Sequence, residues 1–164
     1  MAESVVLDAC TVIILEGCGA LDAVLSLEEY QFQIGPIVLK ECGSGCQATL
    51  DQHMRGGRLS LVPIEAIPTA LFLHLLQRYR LGDGETECLV ICEALGCSIA
   101  TDDMAARRAA TALYGATRLT GTLGLLRAAV ALGRLTSSAA MEFYNIARRR
   151  GAFLPDVDAG FFSQ

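Results

Sequence analysis

Carboxylic acids crowd one stretch of this 164-residue chain. Leu81-Gly82-Asp83-Gly84-Glu85-Thr86-Glu87-Cys88 is followed, one helix further on, by Ser98-Ile99-Ala100-Thr101-Asp102-Asp103. Several carboxylates delivered to one place are hard oxygen donors, the ligands that Mg²⁺ and Mn²⁺ prefer. A cation held in this way can act on water without any nucleophilic side chain.

Local signals describe how these acids are delivered. The Gly-Asp-Gly cluster stops the preceding helix and lets the next one start at or near Asp83 or Gly84. Glu85 and Glu87 then fall in its first turn, where carboxylates suit the positive end of the helix dipole. At helical spacing Glu85, Cys88, Leu89 and Cys92 share a face, so Glu85 is expected to point inward and Glu87 to be rotated away. Gly96 ends this helix, and residues 97–101 read as a short buried strand that hands Asp102 and Asp103 to a loop.

Two acids elsewhere fit the same arrangement. Val5-Val6-Leu7 is an apolar run too short for a helix, the pattern of a central parallel strand, and it ends on Asp8. Open α/β sheets bind ligands at the carboxyl edge, so Asp8, Asp102 and Asp103 line one crevice if the two strands are neighbours. Asp8 is equally suited to be only the N-cap of the helix that follows. Gly35-Pro36 starts a helix over Ile37 to about Met54, with Glu41 beside its apolar face, and a rim position in solvent is the alternative for that side chain. The interval Cys42-Gly43-Ser44-Gly45-Cys46 weakens this helix.

The remaining pattern alternates strand and helix: helical over 12–16 and 20–27, strand over 30–34, strand over 59–64 and helix over 69–79. After Asp103 it gives helix 104–114, strand 117–119, a turn at Thr120-Gly121-Thr122-Leu123-Gly124, helix 125–132, and a last helix capped by Ser137 or Ser138 and closed at Gly151. An apolar tail over 153–164 is expected to dock. These features predict a three-layer α/β/α sandwich around a mostly parallel sheet of four to five strands, as one domain over residues 1–164.

With 52% apolar residues there is ample material for a core, and a net charge of −5 argues against a wholly basic nucleic-acid coat. Lys40 is the sole lysine among 13 cations. Arginine's planar fork suits phosphate oxygens, and a compositional bias would produce the same excess. Seven cysteines without a Cys-x-x-Cys pair fit a reduced, cytoplasmic protein. Cys42/Cys46 and Cys88/Cys92 read as helix-core thiols rather than zinc ligands. His53 and His74 receive no role. The apolar N-terminal run is broken by Asp8 and Glu16 and reads as neither signal peptide nor membrane span.

With Asp8, Glu41, Glu85 and Asp103 in this order, nearly the whole chain resembles the PIN domain family of metal-dependent nucleases, which includes the ribonuclease toxins of VapBC toxin–antitoxin pairs. Four pieces carry the resemblance: Val5-Val6-Leu7-Asp8, Ile34-Gly35-Pro36-Ile37-Val38-Leu39-Lys40-Glu41, Gly84-Glu85-Thr86-Glu87 and Ile99-Ala100-Thr101-Asp102-Asp103. Gly84-Glu85 and the run Thr120–Gly124 are similar to a PIN-like subgroup in which glutamate replaces the commoner third aspartate. The resemblance implies a Mg²⁺- or Mn²⁺-dependent endoribonuclease, with Asp8 and Asp103 as direct ligands and Glu41 and Glu85 acting through water. Glu87 and Asp102 are second choices as ligands. Thr11 and Thr101 are placed to hydrogen-bond the acids, and Arg107 and Arg108 to meet nucleic acid. RNA as substrate, a homodimer and a small antitoxin partner follow from the same resemblance. A catalytically silent PIN-like scaffold is the alternative. A receiver-type domain would want a lysine after a late strand, whereas Lys40 sits beside Glu41.

Overall fold

The computed structural model describes residues 1–163; the last residue of the expected docking tail, Gln164, lies outside the described residues. Five strands form one sheet in the order β3-β2-β1-β4-β5, every pair parallel. They are β1 (Glu3–Leu7), β2 (Tyr30–Ile34), β3 (Leu59–Leu61), β4 (Ser98–Ala100) and β5 (Leu119–Thr120). Val5, Val6 and Leu7 of the central strand are fully buried, as the uninterrupted apolar run requires of a strand covered on both faces. The edge strands β3 and β5 are the short ones, which limits the unpaired backbone presented at the rims.

Between the strands run α1 (Ala9–Cys18), α2 (Leu21–Leu25), α3 (Pro36–Glu41), α4 (Ser44–Arg55), α5 (Thr69–Tyr79), α6 (Asp83–Leu95) and α7 (Met104–Tyr114), followed after β5 by α8 (Thr122–Ala131) and α9 (Ser137–Arg149). α1, α2, α4, α8 and α9 pack among themselves, while α3, α5 and α7 gather around α6, giving the layers on either side of the sheet. The chain lays β2 and β3 on one side of β1 and returns to lay β4 on the other. The strand order therefore reverses between β1 and β4, and at such a switch point the flanking connections diverge and leave a crevice at the carboxyl edge.

Several expected boundaries shift, each for a local reason. The helix expected over 37–54 is two helices, because Gly43 takes φ 72°, a left-handed conformation that breaks α3 from α4. The strand expected over 59–64 stops at Leu61, since Pro63 cannot donate to a ladder and a 3₁₀ turn follows at Ile64–Ala66. The expected turn at Thr120–Gly124 is instead the last residue of β5 and the first turn of α8. The final helix is capped by Thr136, whose hydroxyl accepts from the Ala139 amide, rather than by Ser137 or Ser138.

Candidate active site

At the reversal point the ends of β1 and β4 deliver their acids side by side. Leu7 pairs with Ala100, and the Asp8 amide donates to the Ala100 carbonyl at 2.9 Å, so the two strands stay in register up to the acids. Asp8 is only 2% exposed. It caps α1 through its own Ala9 amide (2.8 Å), and its other oxygen accepts from the Thr101 hydroxyl (2.6 Å) and the Cys10 thiol (3.3 Å). The cap and the crevice positions, open alternatives in the sequence, are the same position. Burial raises the Asp8 pKa above the ordinary 3.8, the hydrogen bonds from Thr101, Cys10 and Ala9 counteract this, and the charge of Asp103 adds to the rise.

Glu85 and Glu41 lie near enough to Asp8 for its charge to act on both. Glu85, in the first turn of α6, is half-buried, and burial, then the charges of Asp8, Asp103 and Glu41, raise its pKa. Glu41 is the last residue of α3 and lies exposed against Gly84, where a Cβ would collide with its carboxylate; burial of the carboxyl group, Asp8 and Asp83 raise its pKa, while the Gly84 backbone amide opposes the rise. Glycine at position 84 thus makes room for the carboxylate arriving from the neighbouring helix. Asp103 caps α7 by accepting the Ala106 amide at 2.8 Å with one oxygen. Four carboxylates from four elements are thereby electrostatically coupled, and among the described residues none of them takes part in a salt bridge.

The other member of each doubled acid behaves differently. Glu87, expected to turn away from the core, is 1% exposed and accepts the amides of Ile37 and Val38, both at 3.0 Å. α6 is enclosed around nearly its whole circumference by α3, α5, β1 and α7, so inward is not a single direction and residues off the Glu85 face are buried too. Glu87 satisfies the free amides at the start of α3, and Gly35 leaves the space its carboxylate fills. Asp102 accepts the Thr122 amide (3.0 and 3.1 Å to its two oxygens), the Thr122 hydroxyl (2.6 Å) and the Thr11 hydroxyl (2.8 Å), holding the start of α8 against the end of β4.

The hydroxyls expected near the acids are there: Thr101 on Asp8 and Thr11 on Asp102. Thr122 and Cys10 escaped the sequence reading, though a threonine at the start of a helix and a thiol two residues after the first acid were visible signals. Arg107 donates through Nη1 to the carbonyls of Thr101 (2.7 Å) and Thr120 (3.0 Å), bracing the ends of β4 and β5, while Arg108 is exposed. His53 is buried and pairs with Asp22 at 2.8 Å, remote from the acids in sequence.

Acids gathered at the switch point of a parallel sheet in the order 3-2-1-4-5 agree with the comparison to known families. The family model described as DUF3368, a PIN domain, matches residues 4–156. The chain belongs to the PIN domain family. PIN domains are in general metal-dependent nucleases. Among solved structures, a crystal structure of PAE2754 from Pyrobaculum aerophilum is similar, with a TM-score of 0.56 at 16% identity over 80% of this chain and 99% of that one. At that identity the likeness bears on the fold. Among curated proteins none matches the chain's sequence.

The residues of this PIN domain fit a hard divalent cation by their donor chemistry. Oxygens from Asp8, Glu41, Glu85 and Asp103 carry mutual repulsion that a cation would relieve. Among the described residues no three His, Cys, Asp or Glu side chains stand together closely enough to hold a metal ion as they are placed. Carboxylate oxygens suit Mg²⁺ or Mn²⁺, which keep several waters of their own and need few ligands from the protein.

Proposed function

We propose that this PIN domain, taken as one domain over residues 1–164, is a Mg²⁺- or Mn²⁺-dependent endoribonuclease in which Asp8, Glu41, Glu85 and Asp103 form the active site. The observation that carries the reading is the mutual repulsion of the carboxylates near the β1/β4 switch point, none of which, among the described residues, is paired with a cationic side chain. A bound divalent ion would supply a polarised water and offset charge on the phosphodiester. The chain's own residues do the rest. Asp8, which follows β1, and Asp103, the cap of α7 after β4, would hold the ion directly; both are fixed by backbone amides, so their positions cost little to organise. Thr101 orients Asp8. Burial and the neighbouring acids raise the pKa of Glu85 and Glu41, which suits them to take a proton from a water near them.

The deciding experiment is a nuclease assay on mixed RNA and DNA with Mn²⁺, against Asp8→Asn and against EDTA. Cleavage of RNA that both controls abolish supports the proposal. RNA binding without cleavage favours the catalytically silent scaffold instead.

The role of a toxin paired with an antitoxin belongs to the same proposal, and co-expression with the neighbouring gene should yield a complex that masks the acids. A homodimer is supported by exposed Leu61, Ile64 and Leu73 on three consecutive elements, and light scattering should give about twice 17.4 kDa. The seven free thiols, six of them buried, favour a reducing, cytoplasmic setting. No helix among the described residues is long and apolar enough to cross a membrane.

A further inference from the structure

At the end of α6 opposite to the acids, two thiols meet across the turn that leads into β4. α6 ends at Leu95, Gly96 takes the left-handed conformation (φ 65°), and β4 begins at Ser98. A helix that stops in this way folds the residue after the glycine back onto its last turn, where two side chains come into contact. Here those side chains are Cys92 and Cys97, both buried and both free thiols. The Cys92 thiol donates to the Cys97 carbonyl at 2.9 Å, and the Cys97 thiol turns toward the Ile91 carbonyl at 3.9 Å, so each sulfur reaches back over the turn toward the other. Cys88, as near to Cys92 along the helix, instead turns its thiol to the Leu7 carbonyl at 3.4 Å.

A cation lies against this pair. Arg118 donates through Nη2 to the carbonyls of Cys92 (2.6 Å) and Cys97 (2.7 Å) and to the Cys92 sulfur (3.4 Å), and its guanidinium sits over the Tyr114 ring, 5.0 Å from the centroid. Among the described residues it has no carboxylate partner. Hydrogen bonding with the Cys92 side chain draws the Cys97 thiol below its ordinary value against the effect of burial, with Arg118 adding to the pull, and the same contact holds the Cys92 thiol up. A thiolate is the form that attacks an oxidant, so Cys97 is the reactive partner and Cys92 the thiol that resolves it. Residues 93–96, which cover the two sulfurs, are exposed, and the opening of that one helix end admits a small molecule.

We propose that Cys92 and Cys97 form a reversible oxidation site, in which hydrogen peroxide joins them in a disulfide that clamps the end of α6 to the start of β4. The Cys97 thiolate attacks one peroxide oxygen, the O–O bond breaks, and the hydroxide released takes up the proton that Cys97 gave away. The Cys92 sulfur then attacks the sulfur of the resulting sulfenic acid. An S–S bond forms, and the sulfenic oxygen leaves as water with the Cys92 proton. Two thiols have lost two electrons, and peroxide has gained them to become two waters. The bond joins the elements that carry Glu85 and lead to Asp103, at the ends remote from those acids, so it tightens their frame without touching them. The inference is independent of the nuclease reading.

The test treats the full chain with hydrogen peroxide, unfolds it in the presence of an alkylating reagent, and maps the digested peptides by mass spectrometry. The wild-type peptide that holds Cys88, Cys92 and Cys97 should be lighter by two hydrogen atoms, with Cys88 alkylated and the other two protected. Dithiothreitol added before alkylation should make both react again. In EDTA the oxidised protein should melt several degrees above the reduced one, a gain that dithiothreitol removes. Cys92→Ser should show neither the mass change nor the gain. The proposal is overturned if Cys92 and Cys97 are still alkylated after peroxide, if either is joined to Cys88 instead, or if the joined protein melts no higher than the reduced one. A peptide in which Cys97 carries added oxygen while Cys92 stays free would overturn it as well, since the pair would then be reactive without closing.

Discussion

The two doubled acids of this chain divide their labour in the same way. On α6, Glu87 is bound by two backbone amides and Glu85 faces other carboxylates; after β4, Asp102 is bound by an amide and two hydroxyls, while Asp103 turns one oxygen to its own helix and its charge toward Asp8 and Glu85. In each pair one acid is a structural bolt between elements and its neighbour is left under repulsion. The bolts set the repelling acids in place: Glu87 ties α6 to α3, which carries Glu41, and Asp102 ties β4 to α8 beside Asp103. Carboxylates supplied with donors strengthen the apo fold, and carboxylates facing one another strengthen it only once a cation arrives.

Substitution separates the two kinds. Glu87→Ala should produce the largest effect, because it orphans the Ile37 and Val38 amides at a buried helix start. At about 1–3 kcal/mol for each unsatisfied donor, a loss of about 3 kcal/mol is expected, or a melting point lower by about 6–12 °C for a domain of this size. Glu85→Gln, two residues away, should raise the metal-free melting point instead. A thermal scan in which both lower it equally would dissolve the distinction.

Metal binding should be nearly as large an effect. At about 100 times its dissociation constant, Mn²⁺ contributes about 2.7 kcal/mol, a rise of about 5–11 °C in wild type. Asp8→Asn and Asp103→Asn should lose most of that rise, and Glu87→Ala, measured against its own lower baseline, should keep it. If millimolar Mn²⁺ leaves the wild-type melting point unmoved, the four-acid metal site is wrong.

Asp102→Ala should cost about 2 kcal/mol by freeing the Thr122 amide and hydroxyl, about 4–8 °C, again without a gain on metal removal. A smaller effect concerns pH. The carboxyls of Asp8, Glu41 and Glu85 have folded-state pKa values raised above 3.8 or 4.5, so over the interval just above those values the folded protein holds more protons than the unfolded one. Stability from these groups is therefore gained as pH falls through that interval and lost as it rises, the reverse of a salt-bridged acid. In EDTA, as pH falls toward the ordinary carboxylate values, this gain should be smaller in Asp8→Asn than in wild type. With Mn²⁺ present the sign should invert, since protons then compete with the ion.

Much of this was legible in the chain itself. Uninterrupted apolar runs ending in acids marked β1 and β4, Pro36 marked the start of α3, and the Gly-Asp-Gly cluster marked the start of α6, because each depends on backbone rules that act within a few residues. The acids could be nominated for the same reason. What periodicity could not decide was which member of each pair does what. A helical wheel assumes one buried face, and α6 is enclosed on nearly all sides, so the partner of Glu87 was set by the free amides of α3, a helix some fifty residues away in the chain. Asp102 likewise found Thr11 and Thr122 only once β1, β4 and β5 lay side by side. The alternation of strand and helix determined the sheet and which residues reach its edge; the division between bolts and repelling acids came from hydrogen-bond donors that long-range packing brought within about 3 Å.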